Sequence, residues 1–111
     1  MSVDAKVYIG YGINIGYDKF NEYEERVDYN YDFERDDGTE IVIDGMCGNY
    51  ALVMSVLDIV EDLYSSTDEV LELEIPNKDE VVEKLKSAYK EITGEDASNE
   101  DVKLYRVIWV G

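Results

Sequence analysis

The sequence predicts an α+β domain, in which an antiparallel or mixed sheet of four to six strands packs on one main helix. Three stretches carry this expectation. Between Lys6 and Ile15, the apolar residues Val7, Ile9, Tyr11, Ile13 and Ile15 recur at period two. Between residues 77 and 93, a capped segment shows an apolar stripe at helical spacing. The closing segment, Val102 to Val110, alternates as a strand and is apolar on both sides. At 111 residues the chain is expected to form one domain with one modest core.

Taken in order, the first strand carries Tyr8, Gly10, Gly12 and Asn14 on its second face, and its glycines suit a bulge or the close approach of another element. Asp18 is a candidate cap for a second, short helix near 18–27, with Phe20, Tyr23 and Val27 inward and Glu22, Glu24 and Glu25 outward. Tyr29, Tyr31 and Phe33 then alternate with Asn30, Asp32 and Glu34, which predicts a strand with one aromatic and one acidic face. Asp37-Gly38 signals a turn, and Thr39 to Asp44 a strand. Tyr50 to Val60 fits either a helix through Val53, Val56, Leu57 and Val60 or a long strand. Its β-branched content favours a strand paired with Thr39 to Asp44 through the glycine-containing loop.

Val70 to Ile75 alternates with charge, as expected of an edge strand protected from aggregation, and Pro76 ends it. The main helix follows. Asn77 is its N-cap, Glu80 holds the capping-box position, and Val81, Val82, Leu85, Ala88, Tyr89 and Ile92 form its buried stripe. Lys84, Lys86 and Lys90 lie in its second half, where the helix dipole favours cations, and Gly94 stops it. The closing strand, apolar on both faces, is expected near the centre of the sheet.

Charge is the other dominant feature. Twenty-seven acidic side chains stand against ten basic ones, a formal charge of −17, and no basic residue occurs between Arg35 and Lys78. Charge of one sign repels itself in a compact state, so such a chain suits either high salt or a positively charged partner. Its 45% hydrophobic content and ten tyrosines set it apart from disordered acidic chains. Direct binding to nucleic acid or to anionic lipid is disfavoured, because both require cations. Met1-Ser2-Val3-Asp4 has neither a basic nor an apolar leader pattern, and the longest apolar run, Tyr50 to Met54, is far short of a membrane span. A cytoplasmic location is therefore expected.

Motifs for catalysis are sparse. Histidine is absent, which removes triads, His-based zinc ligation and the usual proton shuttle. Cys47, the lone cysteine, has no partner for an internal disulfide and sits among acids that would raise its pKa, so it reads as a small loop or core residue. Gly10, Gly12 and Gly16 have the wrong spacing for a dinucleotide loop. Asp28, Asn30 and Asp32 match the first ligands of a calcium loop, but Phe33 and Thr39 stand where that loop needs Gly and Glu. A looser divalent site among Asp32, Glu34, Asp36 and Asp37 is the remaining metal option. No cofactor is expected.

The candidate contact residues form two groups. The first is Glu22, Glu24, Glu25, Asp28, Tyr29, Tyr31, Asp32, Glu34, Asp36 and Asp37; the second is Glu61, Asp62, Asp68 and Glu69. Tyrosines offer large contact area at low entropy cost, and flanking carboxylates attract Lys and Arg on a partner. Tyr29 and Tyr31 serve as anchors if exposed.

In size, acidity, Tyr, Asn and Ile content and lack of catalytic residues, the whole chain resembles the small proteins that tailed bacteriophages encode for host takeover and for countering host defence. The segment Ile43-Asp-Gly-Met-Cys-Gly-Asn-Tyr50 is its only motif-like stretch. The resemblance implies a non-enzymatic inhibitor, of the DNA-mimic, anti-restriction or CRISPR-inhibitor type, acting in the host cytoplasm. Its target would be a basic nucleic-acid-handling protein such as a nuclease, restriction enzyme, CRISPR effector, glycosylase or polymerase. Monomer and homodimer both remain open. The alternative is a domain that binds a divalent cation or small molecule, or a small metal-dependent enzyme, with carboxylates converging on one pocket.

Overall fold

The computed structural model describes residues 5–44, 48–60 and 77–110. The elements run β1 (Ala5–Asn14), α1 (Tyr17–Arg26), β2 (Glu40–Ile43), β3 (Ala51–Val60), α2 (Lys78–Thr93), a 3-10 turn (Asn99–Asp101) and β4 (Lys103–Val110). The strands form a four-stranded sheet in the order β2-β3-β1-β4, with every neighbouring pair antiparallel. The expected α+β architecture is present, with α2 as its main helix.

Both helices lie on one face of the sheet. Ile13, Ile41, Ala51 and Val53 point to that side and meet Phe20 and Tyr23 of α1 and Val81, Val82, Leu85, Ala88, Tyr89 and Ile92 of α2. The opposite face carries its own buried cluster of Val42, Leu52, Met54 and Val107, flanked by Tyr8, Tyr50, Val56 and Tyr105. Successive residues of β3 are thus buried on both faces. That is why the Tyr50 to Val60 region is apolar without a clean alternation, and the strand reading of it holds, paired with β2.

The glycines of β1 permit a close approach. The register between β1 and β3 shifts at Ile9/Gly10, pairing Ile9 with Asp58 and Gly10 with Val56. A Cβ on Gly10 would collide with the Ser55 carbonyl. The Asn77 cap and the Gly94 stop of α2 follow the sequence. The Asn77 side chain accepts from the Asp79 amide at 3.0 Å, and Gly94, at φ 76°, donates its amide to the Lys90 carbonyl at 2.7 Å.

Three expectations are corrected. The cap of α1 is Gly16, at φ 82°, whose amide donates to Asn14 Oδ1 at 3.0 Å; Asp18 lies inside the first turn. The segment Tyr29 to Glu34 is not a strand. Asp28 and Tyr29 adopt left-handed φ values of 54° and 57°, and the Tyr29 amide folds back to the Glu24 carbonyl at 2.8 Å. Only residues 33–35 run beside β2, through a single bridge between Glu34 and Glu40. The aromatic alternation reflects ring packing in a turn and not a pleat. Tyr31 turns inward onto Phe20 and Tyr23, at centroid distances of 5.7 and 5.6 Å, while Tyr29 and Phe33 face solvent. Finally, β4 lies at the end of the described sheet and not at its centre, with Leu104 and Ile108 exposed. Apolar content on both faces did not mean burial on both. The expected edge strand at 70–75, Pro76 and Cys47 lie outside the described residues.

Candidate functional site

The exposed members of the first group of predicted contact residues follow one another along α1 and the turn after it, a strip running from residue 22 to 37. Glu22 and Glu25, three residues apart on one helix, share an exposed face. Asp28, Tyr29, Asp32, Glu34, Asp36 and Asp37 continue the exposed surface to the start of β2. Phe33, 51% exposed, joins Tyr29, 65% exposed, as a second solvent-facing aromatic ring on this strip. Phe33 was not among the expected contacts. Its sequence signal is a bulky apolar residue set between two acids, Asp32 and Glu34.

Three members of the group do structural work. Glu24 accepts the Tyr31 hydroxyl at 2.8 Å, and both side chains are half-buried. Burial, followed by the hydrogen bond to Glu24, raises the Tyr31 pKa, so its phenol stays a donor. Tyr31 is therefore a core ring and not an exposed anchor. Asp37 accepts from both the backbone amide (2.9 Å) and the hydroxyl of Thr39, which is fully buried. Burial would push the Asp37 carboxyl up, but the Thr39 hydrogen bonds and the Arg35 charge outweigh it and hold the pKa below 3.8.

The electrostatics of the strip depend on where its cations go. From Tyr17 to Asp37 the basic residues are Lys19, Arg26 and Arg35, and each is tied to the α2 side of the molecule. Lys19 pairs with Glu95 and donates to the Tyr89 hydroxyl at 3.2 Å. Arg26 donates to the Glu91 and Ile92 carbonyls at 2.9 and 2.8 Å, at the C-terminal end of α2, where unpaired carbonyls and the helix dipole favour a cation. Arg35, 90% buried by its 10% side-chain exposure, bonds Glu91 at 2.8 Å and stands 3.6 Å from Asp37. Glu22, Glu25, Asp28, Asp32 and Asp36 form no ion pair among the described residues.

Two cavities flank the turn. One, of about 240 Å³, is lined by Asp32, Glu34, Asp36, Asp37 and Glu91 together with Tyr23, Asn30, Tyr31 and Arg35. A guanidinium already stands among these carboxylates. Among the described residues, no three Asp, Glu or Cys side chains are grouped so as to hold a metal ion, the looser set at Asp32 to Asp37 included. The other cavity, of about 320 Å³, lies across β2 between Phe33-Glu34 and the Lys6–Trp109 end of the sheet. The second predicted group, Glu61, Asp62, Asp68 and Glu69, lies outside the described residues. Among the described residues no helix is long and apolar enough to cross a membrane.

The chain matches no protein-family profile, no curated protein and no solved structure.

Proposed function

We propose that the protein is a non-enzymatic interaction protein that presents its 22–37 strip to a basic surface of a nucleic-acid-handling protein, where its carboxylates occupy the place of phosphates. The observation that carries this reading is that Lys19, Arg26 and Arg35 each bond to α2 or to Glu95 just beyond it. Lys19 and Arg26 bond away from the strip, Arg35 divides between Glu91 and Asp37, and Glu22, Glu25, Asp28, Asp32 and Asp36 remain exposed without an ion pair among the described residues. A surface of one sign steers a partner of the opposite sign.

Duplex DNA carries one negative charge per about 1.7 Å of axis, and exposed carboxylates along a helix and turn offer charge of the same sign to a channel built for it. Tyr29 and Phe33 supply apolar contact within the same surface, as interface cores require. The left-handed backbone at Asp28 and Tyr29 holds that ring outward at a cost in local strain, a feature that clusters at binding sites.

The test is capture of the partner from bacterial lysate by the wild-type chain and by the variant E22Q/E25Q/D28N/D32N. Retention at low salt that is lost at raised salt and lost in the variant supports the reading. Equal retention by the neutralised variant sinks it.

A further inference from the structure

The larger cavity, about 320 Å³, falls at the small end of the roughly 300–1,000 Å³ typical of ligand pockets, a size suited to one side chain rather than a cofactor. Its walls include three aromatic rings, Tyr8, Phe33 and Trp109, contributed by β1, the turn before β2, and β4. Among the described residues its charged groups are Glu34, Glu40 and Lys6. Glu34 and Glu40 stand directly opposite each other in a two-residue bridge, an arrangement that like charges make unfavourable. Burial raises the Glu40 pKa, the Glu34 charge raises it further, and Lys6 only partly opposes them. The Lys6 ammonium lies 5.7 Å from the centre of the Trp109 ring. Among the described residues, two carboxylates in the wall face one ammonium, an excess of negative charge.

We propose that this pocket receives an arginine side chain of the basic partner, its guanidinium between Glu34 and Glu40 and its flat face against an aromatic wall. The proposal rests on the strip being a partner-binding surface, with which the pocket shares Glu34. Arginine is the side chain whose chemistry matches every part of the wall. Its planar fork pairs with carboxylates, it stacks on aromatic rings, and it sheds water more readily than an ammonium does. An anion would be repelled, and an aliphatic side chain would bury the carboxylates unpaired. Lys6 beside Trp109 shows that a cation is accepted against that ring.

Trp109 is the only tryptophan in the chain, so its emission and its indole N–H resonance report on this pocket alone. The experiment titrates the full chain with N-acetyl-arginine amide, with the lysine analogue and with N-acetyl-citrulline amide, which has the shape of arginine without its charge. The expected result is a saturable Trp109 response to arginine in the millimolar range, several-fold weaker with lysine and absent with citrulline. E34Q and E40Q should each weaken it several-fold, while E22Q/E25Q/D28N leaves it unchanged. No saturable response, or a citrulline response equal to that of arginine, overturns the proposal on the wild-type chain without relying on any variant's folding. The probe involves no partner, so this outcome is separable from a failure of the strip, which shows only in partner capture.

Discussion

Arg26 holds Ile92: one guanidinium nitrogen at the end of α1 donates at 2.8 Å to the Ile92 carbonyl at the end of α2, and at 2.9 Å to that of Glu91. The same side chain lies over the Tyr23 ring, 5.5 Å from its centre. Helical spacing alone would pair Arg26 with Glu22, four residues earlier. The fold uses the cation instead to join two helix ends, and Glu22 stays outward. R26M should keep much of the packing over Tyr23 and lose the charged hydrogen bonds, lowering stability in urea unfolding by about 1–2 kcal/mol for bonds that are partly solvated. An unchanged midpoint would mean that the contact does not join the helices.

Gly10 is predicted to be intolerant of any side chain. G10A drives a methyl group into the Ser55 carbonyl at the point where the register of β1 and β3 shifts. Overpacking of this kind costs about 1–3 kcal/mol. Thermal unfolding of G10A beside G16A separates the causes, since a Cβ on Gly16 meets nothing within 4 Å and pays only for its φ of 82°.

Asp37 and Glu40 should respond to acid in opposite directions. The folded-state pKa of Asp37 lies below 3.8, so its ionised form stabilises the fold above that value, and the contribution is lost as pH falls through the folded pKa. D37A also leaves the buried Thr39 amide without its acceptor and should cost about 1–3 kcal/mol at neutral pH, with the loss shrinking in acid. The folded-state pKa of Glu40 lies above 4.5, so its ionisation opposes folding at neutral pH and the cost disappears as pH falls through that value. E40Q should therefore stabilise the chain by up to about 1 kcal/mol at neutral pH and have little effect below 4.5. Urea midpoints measured across pH for both variants give the two signs.

The strands and α2 were legible because they depend on local signals. Period-two alternation marked β1, the Asp37-Gly38 turn marked the start of β2, and Asn77 and Gly94 bracketed α2. Burial of both faces made β3 ambiguous, and β-branched residues decided it correctly. Tyr29 to Glu34 misled because alternation in a turn looks like alternation in a strand, until backbone φ at Asp28 and Tyr29 breaks the pleat. The acidic strip was legible as charge along the chain. What was not legible is the pairing of Lys19, Arg26 and Arg35 with α2, which depends on α2 lying beside α1 across more than fifty residues of sequence. The aromatic pocket was hidden for the same reason, since Lys6, Glu40 and Trp109 meet only once the sheet has formed.

Neutralising the strip should leave the fold intact or stabilise it slightly, because the changed side chains are exposed and crowd charges of one sign. E22Q/E25Q/D28N/D32N is expected to unfold at the same temperature as the wild type or a few degrees higher at low salt, with the difference vanishing at raised salt. A clear loss of stability would show that these carboxylates hold the fold rather than face a partner.

The most direct test of the central claim is competition. The protein captured from lysate at low salt is identified by mass spectrometry, and duplex DNA is then added to the bound complex. Displacement by duplex DNA, together with loss of capture by the neutralised strip, is the result expected of carboxylates standing in for phosphates. A captured partner that holds the wild-type and neutralised chains equally, and that duplex DNA does not displace, would contradict the account.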